Sequence, residues 1–209
     1  MKKLILIRAG NTIWQAGRPT DDDSRIQGTV SLPLTDQGKQ ALQEIADVLK
    51  AENPDFIYSS GNESSGRTAD YLAELCRIKT KKVPDLRELD CGLWQGLRIA
   101  EIKKRYGRAY RQWRRDPACI RPPQGESIPE ACQRVRQSLH DLYKKNRKKT
   151  IVIVASFIVA AIIECLITGK DLQQLWQSAE QSNTLQIFDL ALTAVSFHPE
   201  IRKKIPASA

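Results

Sequence analysis

The sequence lacks an apolar run of membrane-spanning length, about 18 residues or more. Residues 151–167 come nearest, but Ser156 and Glu164 interrupt them, so they read as a buried strand running into a helix. The N-terminal run Leu4–Ile7 is too short for the centre of a signal peptide, and no small-residue cleavage site follows. A cytoplasmic protein with no membrane attachment is expected. The five cysteines (Cys76, Cys91, Cys119, Cys132 and Cys165) are scattered, odd in number and never spaced C-x-x-C. That pattern argues against a zinc site or a disulfide framework, and reduced thiols packed as small apolar residues are expected instead. No ligand cluster with metal-binding spacing occurs, so neither a metal nor an organic cofactor is expected. Aromatic residues make up only 6% of the chain, which leaves no evident surface for stacking bases. Internal repeats and low-complexity linkers are also missing.

What is present suffices for one globular domain. The chain has 209 residues, 41% of them hydrophobic, enough to bury a sizeable core. We expect a domain over residues 1–198 and a basic, frayed tail over 199–209. The net charge of +9 is concentrated in Lys103–Arg115 and Lys144–Lys149. Such clusters are solvated helix faces or sites for polyanions. No nucleic-acid motif accompanies them, and nucleic acid is not an expected partner.

Apolar runs and amphipathic stretches alternate along the chain. Leu4–Ile7 reads as a strand. Asp36–Lys50 is a helix with Ala41, Leu42, Ile45, Ala46 and Leu49 on one stripe. A short strand over Asp55–Ser59, a helix over Ser65–Cys76 and an extended stretch over Val83–Leu89 follow. Ile99–Trp113 reads as a basic helix broken at Gly107. Ser127 and Glu130 form a capping box that opens a helix to about Lys145. Ile151–Ala155 is apolar throughout, as a central strand covered on both faces should be. Phe157–Ile167 continues as a helix ending near Gly169, and Thr184–Leu190 and Ala194–Phe197 read as late strands. This alternation predicts an α/β fold with a mostly parallel sheet.

Six blocks in order then carry a resemblance: LIRAGNTIWQ from Leu4, RIQGTVSLPLTDQGKQA from Arg25, YSSGNESSGRTA from Tyr58, LRELDCGLWQG from Leu86, PPQGESIPEACQRV from Pro122 and IVIVASFIVAAI from Ile151. Together they resemble the histidine phosphatase (phosphoglycerate mutase-like) superfamily over roughly residues 1–190. The resemblance implies a three-layer α/β/α domain with a small helical lid around residues 97–120. It also implies phosphohistidine chemistry: one histidine takes the phosphoryl group, a second histidine and two arginines surround it, and an acid protonates the leaving oxygen.

The positions that would carry this chemistry are largely changed. Ala9 stands at the nucleophile position, and Ser156 at the second histidine. Phe157 replaces the glycine that follows it, and Ser64 falls on the second arginine. Arg67, three residues on, is not expected to substitute for it. Asn11, Gln15 and Ser31 stand where the resemblance expects glutamate, asparagine and aspartate. Arg8, Gly10, Thr12, Gln27, Gly28, the acid Glu88, and Gly125, Glu126 and Ser127 are retained. The two histidines, His140 and His198, lie outside the motifs.

The expected ligand-binding residues are therefore Arg8, Asn11, Gln15, Gln27, Gly28, Ser64, Glu88 and Phe157, with no intact catalytic set. The first reading is a pseudoenzyme kept for binding or regulation, holding a phosphorylated small molecule or other anion at Arg8, or a protein partner. If the site is empty of anions, Arg8 pairs instead with Glu88. The second is a phosphomonoesterase or mutase-like enzyme with residual or altered chemistry through Ser156, Glu88 or Cys91, although the acidic neighbours of Cys91 raise its pKa. The third is a polyanion- or partner-binding module using Lys103, Lys104, Arg105, Arg108, Arg111, Arg114 and Arg115, of which Lys104, Arg108, Arg111 and Arg115 fall at helical spacing. Trp14, Trp94, Trp113 and Trp176 are expected in the core or the pocket wall, Trp14 and Trp94 at the pocket edge. The resemblance also allows a homodimer.

Overall fold

A computed structural model describes residues 1–15, 21–60, 63–181 and 184–190. The strand expected over Ala194–Phe197, His198 and the tail lie outside the described residues.

Five strands form one sheet in the order β3-β2-β4-β1-β5: β1 (Lys3–Arg8), β2 (Phe56–Ser59), β3 (Thr80–Lys82), β4 (Thr150–Ala155) and β5 (Leu185–Asp189). β4 sits at the centre and pairs in parallel with β1 and β2, while β5 runs antiparallel along β1. The sheet is thus mostly parallel with one reversed edge strand. The alternation of side chains along β1 and β4 explains why it is covered twice. Leu4, Leu6, Ile151 and Ile153 enter one apolar cluster, and Ile5, Ile7, Val152 and Val154 enter another.

Helices α1 (Asp36–Glu52) and α2 (Glu63–Cys76) cover the second cluster. Thr35 caps α1 by accepting a hydrogen bond from the Gly38 amide at 3.0 Å. Helices α3 (Ile99–Arg115), α4 (Ile128–Lys145), α5 (Phe157–Thr168) and α6 (Leu175–Gln181) contribute to the first. The Ser127–Glu130 capping box opens α4 as expected. The result is the expected three-layer α/β/α architecture. No helix among the described residues is long and apolar enough to cross a membrane.

Two local expectations need correcting. Val83–Leu89 is not extended: the strand lies earlier, at Thr80–Lys82, and Pro84 starts a single 3-10 turn that buries Leu86. α3 does continue through Gly107, but its backbone leaves helical geometry just before it, at Tyr106 (φ −128°, ψ 27°). The basic side chains on either side of this kink do not share one regular helical face.

Candidate functional site

β1 and β4 lie side by side with Arg8 opposite Ala155, and the Ala9 amide donates to the Ala155 carbonyl at 2.8 Å. Ala9 and Ser156 therefore leave the sheet together at its carboxyl edge, where open α/β sheets place their ligands. A cavity of about 690 Å³ opens there. Arg8, Ala9, Asn11, Gln27, Gly28, Ser64, Glu88, Ser156 and Phe157 all line it. The structure thus gathers almost every expected site residue into one place. The side chain of Gln15 lies outside the described residues.

Arg8 is half-buried, and burial lowers its pKa. Its Nη1 donates to the Ala179 carbonyl on α6 at 2.9 Å, and its guanidinium carbon lies 5.6 Å from the centre of the Phe157 ring. Phe157 does not plug the cavity; its ring forms part of the wall beside Arg8. The expected Arg8–Glu88 ion pair is not made among the described residues. The reason is that the carboxylate of Glu88 is engaged by backbone amides.

Glu88 is 4% exposed, and its Oε2 accepts from the Ile158 amide at 2.9 Å. Its Oε1 accepts from Val159 at 3.2 Å and from Leu89 at 2.7 Å. Ile158 and Val159 belong to the first turn of α5, whose amides have no partner within the helix. Ser156 stands at the N-cap of α5 but its side chain makes no capping bond there. Glu88 supplies the cap from another segment of the chain. Desolvation raises its pKa to about 7, against the opposing pull of these amides and of Arg134.

Arg134 holds this segment in place. It pairs with Glu126 through Nε at 2.7 Å, and donates to the carbonyls of Asp85, Arg87 and Glu88. Glu126, through Arg134, therefore helps anchor the loop that carries Glu88. Thr12 and Gln27 are joined by a hydrogen bond of 3.1 Å. Gly10 packs closely: a Cβ there would lie 3.2 Å from the Leu34 side chain.

Arg67 is exposed and does not line the cavity. Cys91 is fully buried outside the cavity lining, and burial with three carboxylates nearby pushes its thiol well above the ordinary range. It is not placed to act as a nucleophile. His140 lies on α4 and is not in the cavity lining either. Trp94, expected at the pocket edge, is instead wholly buried against Tyr106, Tyr110 and Trp113.

A family model described as the histidine phosphatase superfamily, branch 1, matches residues 4–195. The chain belongs to this superfamily. It is 29% identical over 176 residues to phosphoserine phosphatase 1 of Hydrogenobacter thermophilus, covering 84% of this chain and 81% of that protein. Its fold matches that of Bacillus stearothermophilus YhfR with a TM-score of 0.82 at 25% identity, over 94% of both chains. It also matches a histidine-to-alanine mutant of phosphoserine phosphatase from Entamoeba histolytica, in complex with phosphoserine, with a TM-score of 0.71 at 29% identity, over 85% of both chains.

One wall of this superfamily member's cavity was not foreseen as a unit. Tyr110, Trp113 and Arg114 of α3 meet Trp176, Ala179 and Glu180 of α6 there. Trp176 Nε1 donates to the Trp113 carbonyl at 2.9 Å, and the two indole rings pack edge to face at 4.4 Å. Arg114 lies over the Trp176 ring at 4.6 Å and pairs with Glu180. The available sequence signal was the pair of tryptophans, but α6 is a seven-residue helix without a long apolar stripe.

Proposed function

We propose that this chain is a histidine-phosphatase-fold binding protein that does not run phosphohistidine catalysis and holds an anionic ligand at Arg8. The observation that carries this reading is Ala9 at the end of β1. A methyl group has no lone pair with which to attack phosphorus, and phosphoryl transfer depends on a placed nucleophile and placed positive charge. Three further points support it. Ser156 and Phe157 follow β4 where the resemblance expects histidine and glycine. Ser64, not an arginine, lines the cavity from the first turn of α2. The carboxylate of Glu88, which the resemblance makes the proton donor, is tied to three backbone amides.

Loss of turnover does not require loss of binding. Arg8 still lines a formed cavity, and the mutant relative from Entamoeba histolytica, with alanine for a histidine, is in complex with phosphoserine. The test is phosphate release from p-nitrophenyl phosphate, phosphoserine, and sugar and glycerate phosphates, with thermal shift against the same compounds. The expected result is no release above blank, together with a melting shift from at least one anion. Release that disappears in Ser156→Ala or Glu88→Gln would overturn the reading in favour of an enzyme with altered chemistry.

A further inference from the structure

Helix α5 is built almost wholly of apolar residues and carries one charged side chain, Glu164, which is 6% exposed. A buried carboxylate is costly to desolvate, and an apolar residue would suit the core at that point. Glu164 does not line the main cavity. Its Oε1 accepts from Lys170 Nζ at 2.7 Å, and its Oε2 accepts from Gln186 Nε2 at 3.0 Å. Lys170 Nζ also donates to Ser178 Oγ at 3.4 Å. Glu164 therefore ties α5 to α6 through Lys170, and to β5 through Gln186, which lies opposite Leu6 of β1.

The residue after Ser178 is the one that holds Arg8. Arg8 Nη1 donates to the Ala179 carbonyl at 2.9 Å. Ala179 lies in the last turn of α6, so its carbonyl has no amide partner within the helix and can take a cation. Arg8, Glu164, Ser178, Ala179 and Gln186 line one small recess, so this brace and the guanidinium are neighbours. α6 is seven residues long, and Ser178 and Ala179 are small among the four residues it buries. So short a helix has little apolar surface to fix its register. Charge-assisted hydrogen bonds are directional and supply what apolar packing does not.

We propose that Glu164 is a positioning residue for Arg8: through Lys170 and Ser178 it fixes α6, so that the Ala179 carbonyl holds the guanidinium at the cavity. An arginine that meets an anion is useful only when its own orientation is held by the groups behind it. The inference rests on the binding reading above and adds how that site is kept in shape.

The experiment follows the arginine side-chain signals of the isotope-labelled full-length protein by NMR, with Arg8→Lys to assign Arg8. Rotation about its Nε–Cζ bond is slow while Nη1 is held and quickens when it is released. The expected result is rotation at least about fivefold faster in Glu164→Gln and in Lys170→Met, with inorganic phosphate bound about threefold or more weakly by both in calorimetry. Lys170 is exposed, so its variant tests the same brace if the buried substitution fails to fold. Arg25, which is held by the Gly96 carbonyl, is the internal control and should not change. Arg8 signals unchanged in both variants would overturn the inference and leave the binding reading standing. A change in Glu164→Gln without one in Lys170→Met would overturn the route through α6. Equal loosening of Arg25 would show general loss of packing and overturn the positioning role. Held Arg8 signals in a wild type that binds no phosphate would overturn the binding reading for phosphate and leave the positioning role standing.

Discussion

At the scale of single residues, Glu88 shows how a retained motif residue can be held by structure. Its carboxylate caps α5 from outside the helix, and burial raises its pKa from 4.5 to about 7. A carboxyl with a folded pKa above its unfolded value binds more protons in the native state, so stability falls as pH rises between the two values. Wild type should therefore gain stability relative to Glu88→Gln when the pH drops from about 8 to about 5, by up to roughly 3 kcal/mol. Parallel denaturation curves for both proteins across that window check it; a difference that does not change with pH would contradict the burial argument. At the nucleophile position, Ala9→His alone should give no phosphate release above blank. The second motif position would still be Ser156, and Ser64 would still stand in place of the arginine. Measurable turnover from that single change would show that the rest of the site had remained competent. Most of these residues were legible in the sequence, because the motif blocks fix which side chains leave the ends of β1 and β4. The partner of Glu88 was not legible. Arg8 and Glu88 are opposite charges in one pocket, and only the placement of the α5 amides shows which group claims the carboxylate.

At the scale of elements, the α3–α6 wall decides the shape of the cavity. Trp176→Phe removes the buried hydrogen bond to the Trp113 carbonyl and part of the ring under Arg114. It should cost about 1–2 kcal/mol of stability by chemical denaturation, and an unchanged midpoint would contradict the assigned contact. The Arg114–Glu180 pair is a smaller term, since both side chains remain partly exposed. Elements with strong periodicity or caps were readable: α1 by its stripe, α4 by its capping box, β4 by its apolar run. Those that were missed carry weak local signals. β3 is three residues long with two lysines, α6 is seven residues long, and the reversal of β5 comes from its pairing with β1, which its own sequence does not encode.

At the scale of the whole molecule, the +9 charge is spread over separate surfaces. Lys104, Arg108, Arg111 and Arg115 are exposed on α3, which lines the cavity at the carboxyl edge of the sheet. Lys144–Lys149 precede β4, at the opposite edge, where Lys149 and Lys81 both lie over the Phe56 ring. Patches at opposite ends of a sheet do not make one continuous groove, and the kink at Tyr106 divides the first of them. Binding to a labelled DNA duplex, followed by fluorescence anisotropy, should therefore be weak and vanish by physiological salt. Tight binding that survives there would favour a polyanion-binding role.

The proposed binding role requires that this formed cavity run no phosphohistidine chemistry. The measurement that tests it most directly is phosphate release from p-nitrophenyl phosphate by the wild-type protein and by Arg8→Met, purified side by side. The expected rate is the same for both proteins and equal to the blank. Release by wild type that Arg8→Met abolishes would contradict it and require a nucleophile within this cavity.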